Sequence, residues 1–236
     1  MIDVHAHILP GVDDGAETYE DGVGIVKNLV AGGVTDVIAT PHYINETNYM
    51  SPRSENRKLM GELKKRLKKE GIEVNLYLGN EIYIDKNILN LIKNRKIAPL
   101  AGSNYLLVEL PLNDEFDGYE DVFLELMEND YKVILAHPER YVIIREDFEV
   151  VRRLHDEGVL LQCNLASITG KYGHGAKRVL QRLAREKMIF AFGSDMHRPG
   201  RNGFWEPAMK KLGKYYNERE LSQVLSINPK RILMKS

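Results

Sequence analysis

Met1-Ile2-Asp3-Val4-His5-Ala6-His7-Ile8-Leu9-Pro10-Gly11-Val12-Asp13-Asp14-Gly15 opens the chain. A short apolar run ends in two histidines one residue apart. Strand alternation over residues 2–7 turns both imidazoles to one face, about two residues of rise apart. Two imidazoles at that spacing can grip one divalent metal. After a Pro-Gly turn come two carboxylates, Asp13 and Asp14. A His-x-His pair by itself is equally a pair of hydrogen-bonded side chains. Its weight comes from the recurrence of the same chemistry at the ends of later strand-like runs.

Short β-like runs alternate with helical patterns along the chain, the signature of βα units around a parallel sheet. Strands are expected at residues 2–7, 36–40, 73–78, 105–110, 132–136, 159–164 and 189–193. Helical spacing marks residues 19–31, 57–70, 87–94, 119–129, 148–157 and 176–186. Gly32-Gly33 and Gly71 stop the first two helices. The tail is helical, with Asn228 expected as the cap of the last helix and Pro229 in its first turn. No linker, low-complexity tract or short-period repeat interrupts the pattern. Residues 1–236 therefore read as one α/β domain with seven strands.

A length of 236 residues suits one α/β barrel, and 43% hydrophobic residues suffice for a core. The net charge is −1, from 33 basic and 34 acidic residues. That balance points away from nucleic acid or a membrane surface as the main partner. No signal-peptide pattern follows Met1, and no apolar run reaches the length of a membrane span. The single cysteine, Cys163, cannot form an internal disulfide. Together these features lead to the expectation of a cytoplasmic protein.

The candidate metal ligands are His5, His7, Asp14, His42, Glu81, Glu109, His137, Asp195 and His197. Each lies at or just past the C-terminal end of an expected strand. In a parallel barrel those ends gather at one face, where barrel enzymes keep their active sites. His155 and His174 are the two histidines that do not follow this rule. Any one of these residues has a plain alternative: a hydrogen-bonded imidazole, or a carboxylate capping the next helix. The set as a whole does not. Five imidazoles and four carboxylates suit two or three ions of the Mn, Fe or Zn type, and no thiolate cluster suggests structural zinc. Such a site would attract a phosphate dianion and activate water.

Arg140 follows His137-Pro138-Glu139, and its planar fork fits a phosphoryl group. Arg198 and Arg201 are further candidates, and each of the three is also readable as a surface arginine. A cysteine-dependent phosphatase needs arginine six residues after its nucleophile, and here Thr169 occupies that position. Cys163 in an apolar strand reads as a core residue. The basic residues of the second helix (Lys58, Lys64, Lys65, Arg66, Lys68 and Lys69) read as a solvated face, or alternatively as a dock for an acidic partner tail. Tyr43, Tyr49, Tyr83, Tyr141 and Tyr172 follow strand ends and could line a substrate cleft or simply pack.

Asp3-Val-His5-Ala-His7 with Asp13-Asp14-Gly15, Ala39-Thr-Pro-His42, Gly79-Asn-Glu81-Ile, Val108-Glu109-Leu-Pro, Ala136-His137-Pro-Glu-Arg140-Tyr and Ser194-Asp195-Met-His197 together resemble the polymerase-and-histidinol-phosphatase (PHP) superfamily. They resemble most its bacterial protein-tyrosine phosphatases, regulators of capsule and exopolysaccharide synthesis. The resemblance spans almost the whole chain. It implies a distorted seven-stranded (β/α) TIM-like barrel and a manganese-dependent centre of three ions. It implies one ion held by His5, His7, Asp195 and Glu81, a second by Glu81, Glu109 and His137, and a third by Asp14, His42 and His197. It implies phosphoryl binding by Arg140 and Arg201. Tyr43, from its place after a strand end, is the candidate substrate-binding tyrosine beside them. The implied substrate is the phosphorylated tyrosine tail of a cognate bacterial tyrosine kinase. Two other readings compete: a histidinol-phosphate phosphatase of the same superfamily, and a non-catalytic metal-binding regulatory module.

Overall fold

The structure, a computed structural model, describes residues 1–113, 118–200 and 205–234. Nine parallel strand segments follow in chain order: β1 (Ile2–Ala6), β2 (Asp36–Ala39), β3 (His42–Tyr43), β4 (Asn75–Leu78), β5 (Glu81–Tyr83), β6 (Tyr105–Glu109), β7 (Lys132–Ala136), β8 (Leu160–Asn164) and β9 (Ile189–Gly193). They pair as β1-β2-β4 and as β3-β5-β6-β7-β8-β9. The seven expected strands are therefore present, but two of them are broken. Pro41 has no amide to donate, so β2 ends and β3 begins beyond it. The second break falls at Gly79-Asn80. There the Asn80 side chain donates to the Pro41 carbonyl at 3.0 Å and accepts the Ala98 amide at 2.8 Å, beside backbone bonds from Gly79 to Ala39 and from Glu81 to Pro41. The register is kept across both breaks, Ala39 opposite Leu78 and His42 opposite Glu81, so His42 and Glu81 stay on the inward side with Ile38 and Tyr77.

The ring is not strictly closed. β9 and β1 meet through two bonds at their C-terminal ends, Asp195 N–H to the His5 carbonyl (2.8 Å) and His7 N–H to the Met196 carbonyl (3.0 Å). The result is a distorted α/β barrel whose C-terminal strand ends share one mouth.

Helices cover the outside: α1 (Tyr19–Ala31), α2 (Arg53–Lys69), α3 (Ile88–Lys93), α4 (Tyr119–Glu128), α5 (Val142–Glu146), α6 (Phe148–Asp156), α7 (Gly173–Arg185), α8 (Trp205–Leu212), α9 (Glu218–Ser222) and α10 (Asn228–Leu233). Thr18 and Asp21 form a capping box on α1, which buries Ile25, Val26 and Leu29. The short α5 was not expected from the sequence, and His174 lies in the first turn of α7. Asn228 is not a cap. Its backbone is helical, because a turn over Gln223–Ile227 runs straight into α10, and its side chain donates to the Phe190 carbonyl at 2.9 Å. No helix among the described residues is long and apolar enough to cross a membrane.

Alternation sorts the strand residues. In β8, Leu161 and Cys163 face the helices, while Gln162 and Asn164 face the mouth of the barrel. Ile38, Leu107, Ile134, Ala136 and Ala191 pack with Val4 inside, closed below by Ile232 of α10. Tyr141 ties β6 to β7 beneath the mouth. Fully buried, it accepts the Leu110 amide at 3.0 Å and donates to the Ala136 carbonyl at 2.8 Å. Tyr141→Phe should therefore cost about 1–3 kcal/mol, since two buried backbone groups lose their partner. Urea denaturation measures it, and an unchanged midpoint would show that the hydroxyl is dispensable.

Candidate metal centre

All nine expected ligands gather at the mouth. The His5 and His7 Nε2 atoms lie 3.1 Å apart, and Glu81 Oε2 sits 3.0 and 3.2 Å from them. Asp195 Oδ1 adds contacts of 3.6 Å to His5 and 3.5 Å to His7. The other Glu81 oxygen lies 2.9 Å from His137 Nε2, with Glu109 3.6 Å from the same nitrogen. On the open side, Asp14 Oδ1 is 3.5 Å from His42 Nε2 and 3.3 Å from His197 Nε2. Three groups bring their donor atoms within 4.8 Å of one another: His5, His7 and Glu81; His42, Glu81 and Glu109; and His7, Asp14, His42 and His197. His42 thus looks both ways. Its Nδ1 lies 3.1 Å from Glu81, a contact the expected division of ligands did not include.

The donor set fits cations better than it fits protons. Gln162 donates its amide N–H to Asn164 at 3.1 Å, so its carbonyl oxygen faces His5 Nδ1 at 2.8 Å. Only a protonated Nδ1 can use that acceptor, which leaves the Nε2 lone pair pointing inward. Asp13 fixes His7 the same way, 2.8 Å from its Nδ1. In the neutral rings both lone pairs therefore point at carboxylate oxygens, and a cation, metal or proton, is needed to join them. Glu81 Oε2 is buried and receives no hydrogen bond. Bonds of about 2.1 Å to one ion put neighbouring ligand atoms about 3.0–3.4 Å apart, for octahedral to tetrahedral angles. The contacts around Glu81 fall in that range.

Electrostatics agree. Burial opposes charge on His7, yet the Asp13 and Glu81 carboxylates raise its pKa well above the ordinary value. Burial likewise opposes charge on Glu81, but His5 and His42 hold it well below the usual carboxylate range. Asp14, bonded to His197, is lowered to about 2. Glu109 moves the other way: burial, then the charges of Glu81 and Asp195, push it up to about 9. The pocket already carries more negative charge than it can ionise.

Arg140 reaches the same mouth, donating to Asp195 Oδ2 at 3.0 Å, with its guanidinium 4.7 Å above the Tyr172 ring. Arg198 is turned away, bonded to the Gly15 carbonyl and paired with Glu17 at 2.7 Å. Arg201 lies outside the described residues. Tyr43 is a correction. It follows His42 in β3, so alternation sends its ring to the opposite side, into the main core at 4% exposure. Tyr49 stacks on His42 instead, at 6.1 Å and 14°. Cys163 is buried in that same core, and burial together with Glu139 pushes its thiol pKa up, away from thiolate chemistry.

Sequence reasoning missed the residues that orient the ligands: Asp13, Gln162, Asn164 and Glu139. Asn164 donates to Asp195 at 2.6 Å, while Glu139 accepts the Asn164 amide at 2.8 Å and the Ser167 hydroxyl at 2.7 Å. Two polar side chains at i and i+2 of an otherwise apolar strand were the available signal for Gln162 and Asn164, because buried amides need partners. Gly193 is required beside them. A Cβ there would lie 2.6 Å from the His5 Cβ and 2.9 Å from Gln162 Nε2.

Metal uptake should depend on pH with a defined sign. Ligands must be deprotonated, so binding displaces the proton that Glu109, pushed up to about 9, holds near neutrality. Apparent affinity should rise as the pH rises towards about 9, the folded-state value of Glu109. The metal-free fold should move oppositely. It loses stability as pH climbs from the ordinary Glu value of 4.5 towards about 9, because the folded state binds the extra proton. Titration calorimetry at several pH values, in buffers of different ionisation enthalpy, tests this. Affinity flat across the range would remove Glu109 from the ligand set.

Comparison with known proteins places this geometry. Residues 1–234 match the family described as "Capsular polysaccharide synthesis, CpsB/CapC". The tyrosine-protein phosphatase YwqE of Bacillus subtilis is 32% identical over 234 residues, covering 99% of this chain and 91% of that protein. A crystal structure from work on YwqE and on CpsB of Streptococcus pneumoniae, described there as metal-dependent tyrosine phosphatases, superposes with a TM-score of 0.91 at 31% identity, covering 99% of this chain and 94% of that one. Histidinol phosphate phosphatase of Lactococcus lactis shares the fold alone, with a TM-score of 0.58 and 16% identity over 90% of this chain and 92% of that one. The chain belongs to the CpsB/CapC family of capsular polysaccharide synthesis.

Proposed function

We propose that this protein is a metal-dependent protein-tyrosine phosphatase, a phosphoric monoester hydrolase acting in capsule and exopolysaccharide synthesis. The observation that carries the reading is the meeting of five imidazoles, four carboxylates and Arg140 at one mouth. Residues 1–236 act as one phosphatase domain.

We assign His5, His7, Glu81 and Asp195 to one ion, Glu81, Glu109 and His137 to a second, and Asp14, His42 and His197 to a third, with manganese as the metal. When bound, such ions supply Lewis acidity to the phosphoryl group and lower the pKa of water. Three divalent ions against four carboxylates leave a net charge of about two positive, which suits a phosphate dianion. The chain's own residues do the rest. Arg140, held by Asp195 and the Tyr172 face, presents its fork to the phosphoryl oxygens and is worth most where charge develops in the transition state. Arg201 is proposed as a second phosphoryl contact. Gln162, Asn164 and Asp13 hold His5, Asp195 and His7 in one orientation, so no reorganisation is required during turnover.

The cleft beside the centre, of about 450 Å³, is lined by Arg140, Lys171, Tyr172, Met196, His197 and Arg198, among others. Arg140 pairs with Asp195 and Arg198 with Glu17, which leaves the Lys171 ammonium as the unpaired charge of its wall among the described residues. An ammonium such as that of histidinol phosphate would be repelled there, whereas an acidic phosphopeptide would be drawn in. The substrate class is therefore a tyrosine-phosphorylated protein, and we propose the tail of a bacterial tyrosine kinase as its source. We also place the enzyme in the cytoplasm. The chain's single cysteine is buried and unpaired, as suits a reducing compartment.

Manganese reconstitution should give close to three ions per chain, and one or fewer would sink the three-ion assignment. With that enzyme, kcat/KM for a phosphotyrosine peptide should exceed that for histidinol phosphate at least ~10-fold, or about 1.4 kcal/mol. A chelator should abolish both activities. Faster turnover of histidinol phosphate would transfer the protein to the other substrate class.

Arg140→Ala should lower kcat about 100-fold, as expected for loss of one donor to developing charge. A loss of only a few-fold would make Arg140 a bystander.

A further inference from the structure

A second concentration of positive charge lies away from the metal ligands. The first turn of α2 and the turn after α3 enclose a cleft of about 560 Å³, lined by Arg53, Ser54, Arg57, Asn94, Arg95 and Lys96, with Pro52 at its edge. The lining includes four cations and no carboxylate. None of the four makes an ion pair among the described residues, although the protein pairs many of its other surface cations. Arg53 is half-buried, and its Nε is fully enclosed with no hydrogen-bond partner. Burial, with Arg57 and Arg95 nearby, depresses the Arg53 pKa, and no acidic group offsets it. An adjoining cleft of about 340 Å³ shares Arg53 and Arg57. The N-terminus of α2 opens into the same space, and its cap, Pro52, provides no side-chain bond to the first-turn amides. Like charges held together around a cleft are destabilising unless an anion joins them.

We propose that this cleft is a second anion site, taking a phosphoryl group carried on the same peptide as the scissile phosphotyrosine. This rests on the phosphatase reading and adds to it how the substrate is held. A dianion with three acceptor oxygens matches three guanidiniums and an ammonium around one cleft better than a single carboxylate does. The location supports a peptide ligand. Tyr49 stacks on His42 of the metal centre, and Arg53 follows four residues later. Four residues span at most about 14 Å. A peptide with one phosphate at the centre can therefore place a second, several residues along, against Arg53 and Arg57. Binding at two linked points raises affinity through effective concentration.

The test uses manganese-loaded enzyme and two peptides of one sequence, bearing either one phosphotyrosine or two spaced four to eight residues apart. Wild type should show kcat/KM at least ~10-fold higher on the doubly phosphorylated peptide, counted per scissile group. The Arg53→Gln/Arg57→Gln and Arg95→Gln/Lys96→Gln double variants should bring that ratio towards one. Turnover of the singly phosphorylated peptide and of p-nitrophenyl phosphate should stay unchanged in both. A wild-type ratio near one would overturn the proposal, as would variants that lose activity equally on both peptides. Binding separates this from the activity reading. Peptides with non-hydrolysable phosphonates in place of the phosphates are followed by fluorescence anisotropy, with inorganic phosphate as competitor. A two-phosphonate advantage that the variants abolish supports the site even if turnover fails. Equal binding of both peptides overturns it. Phosphate binding in the cleft without a two-phosphonate advantage would show a site for the free ion and overturn the peptide assignment.

Discussion

The Glu81 carboxylate is the constraint around which the mouth of the barrel is arranged. It is fully buried, and one oxygen faces His5, His7 and His42 while the other faces His137. A buried carboxylate with an orphaned oxygen is costly in any protein. Here the cost is tolerable only if cations share the oxygen. The same demand explains the inward lone pairs of His5 and His7, and the protonation of Glu109 in their absence. Glu81 keeps the inward parity of Tyr77 across the Gly79-Asn80 interruption, and the Asn80 side chain, bonded to Pro41 and Ala98, anchors the chain beside it.

Two of the seven left-handed non-glycine residues among the described residues stand at the same place. His137 and Asp195 immediately follow β7 and Gly193-Ser194, and both adopt left-handed backbone, with φ of 33° and 51°. For a residue with a side chain this costs roughly 1–2 kcal/mol. Short bonds hold each in position: the Asp195 amide donates to His5, and the His137 carbonyl accepts the Arg140 amide at 2.9 Å. The turn at His137 also carries Arg140 back over Asp195. One strained residue therefore sets the positions of both the His137 imidazole and the Arg140 guanidinium.

Behind the ligands stands a polar relay that runs from His5 through Gln162 and Asn164 to Asp195 and Arg140. Each member has one donor direction left open by its neighbour, so the tautomers and amide orientations follow from one another. Such a network fixes ligand geometry before any ion arrives. It also couples Arg140 to the His5 and His7 imidazoles, since Asp195 contacts all three.

The sequence by itself determined the βα alternation, the position of each ligand-type residue at a strand's end, and the core role of Cys163. These are local properties. Hydrophobic period, glycine stops and the residue just past an apolar run are all written within a window of a few residues. Tertiary structure decided the rest. It broke two strands, at Pro41 and Gly79-Asn80. It laid Tyr49 on His42. It gave His42 two faces, and brought Arg53 and Arg57 against Arg95 and Lys96. Gln162 meets His5 across 157 residues of sequence. No local pattern encodes such a pairing, because which inward-facing polar groups meet depends on barrel register, and register is set only when all the strands close around one another.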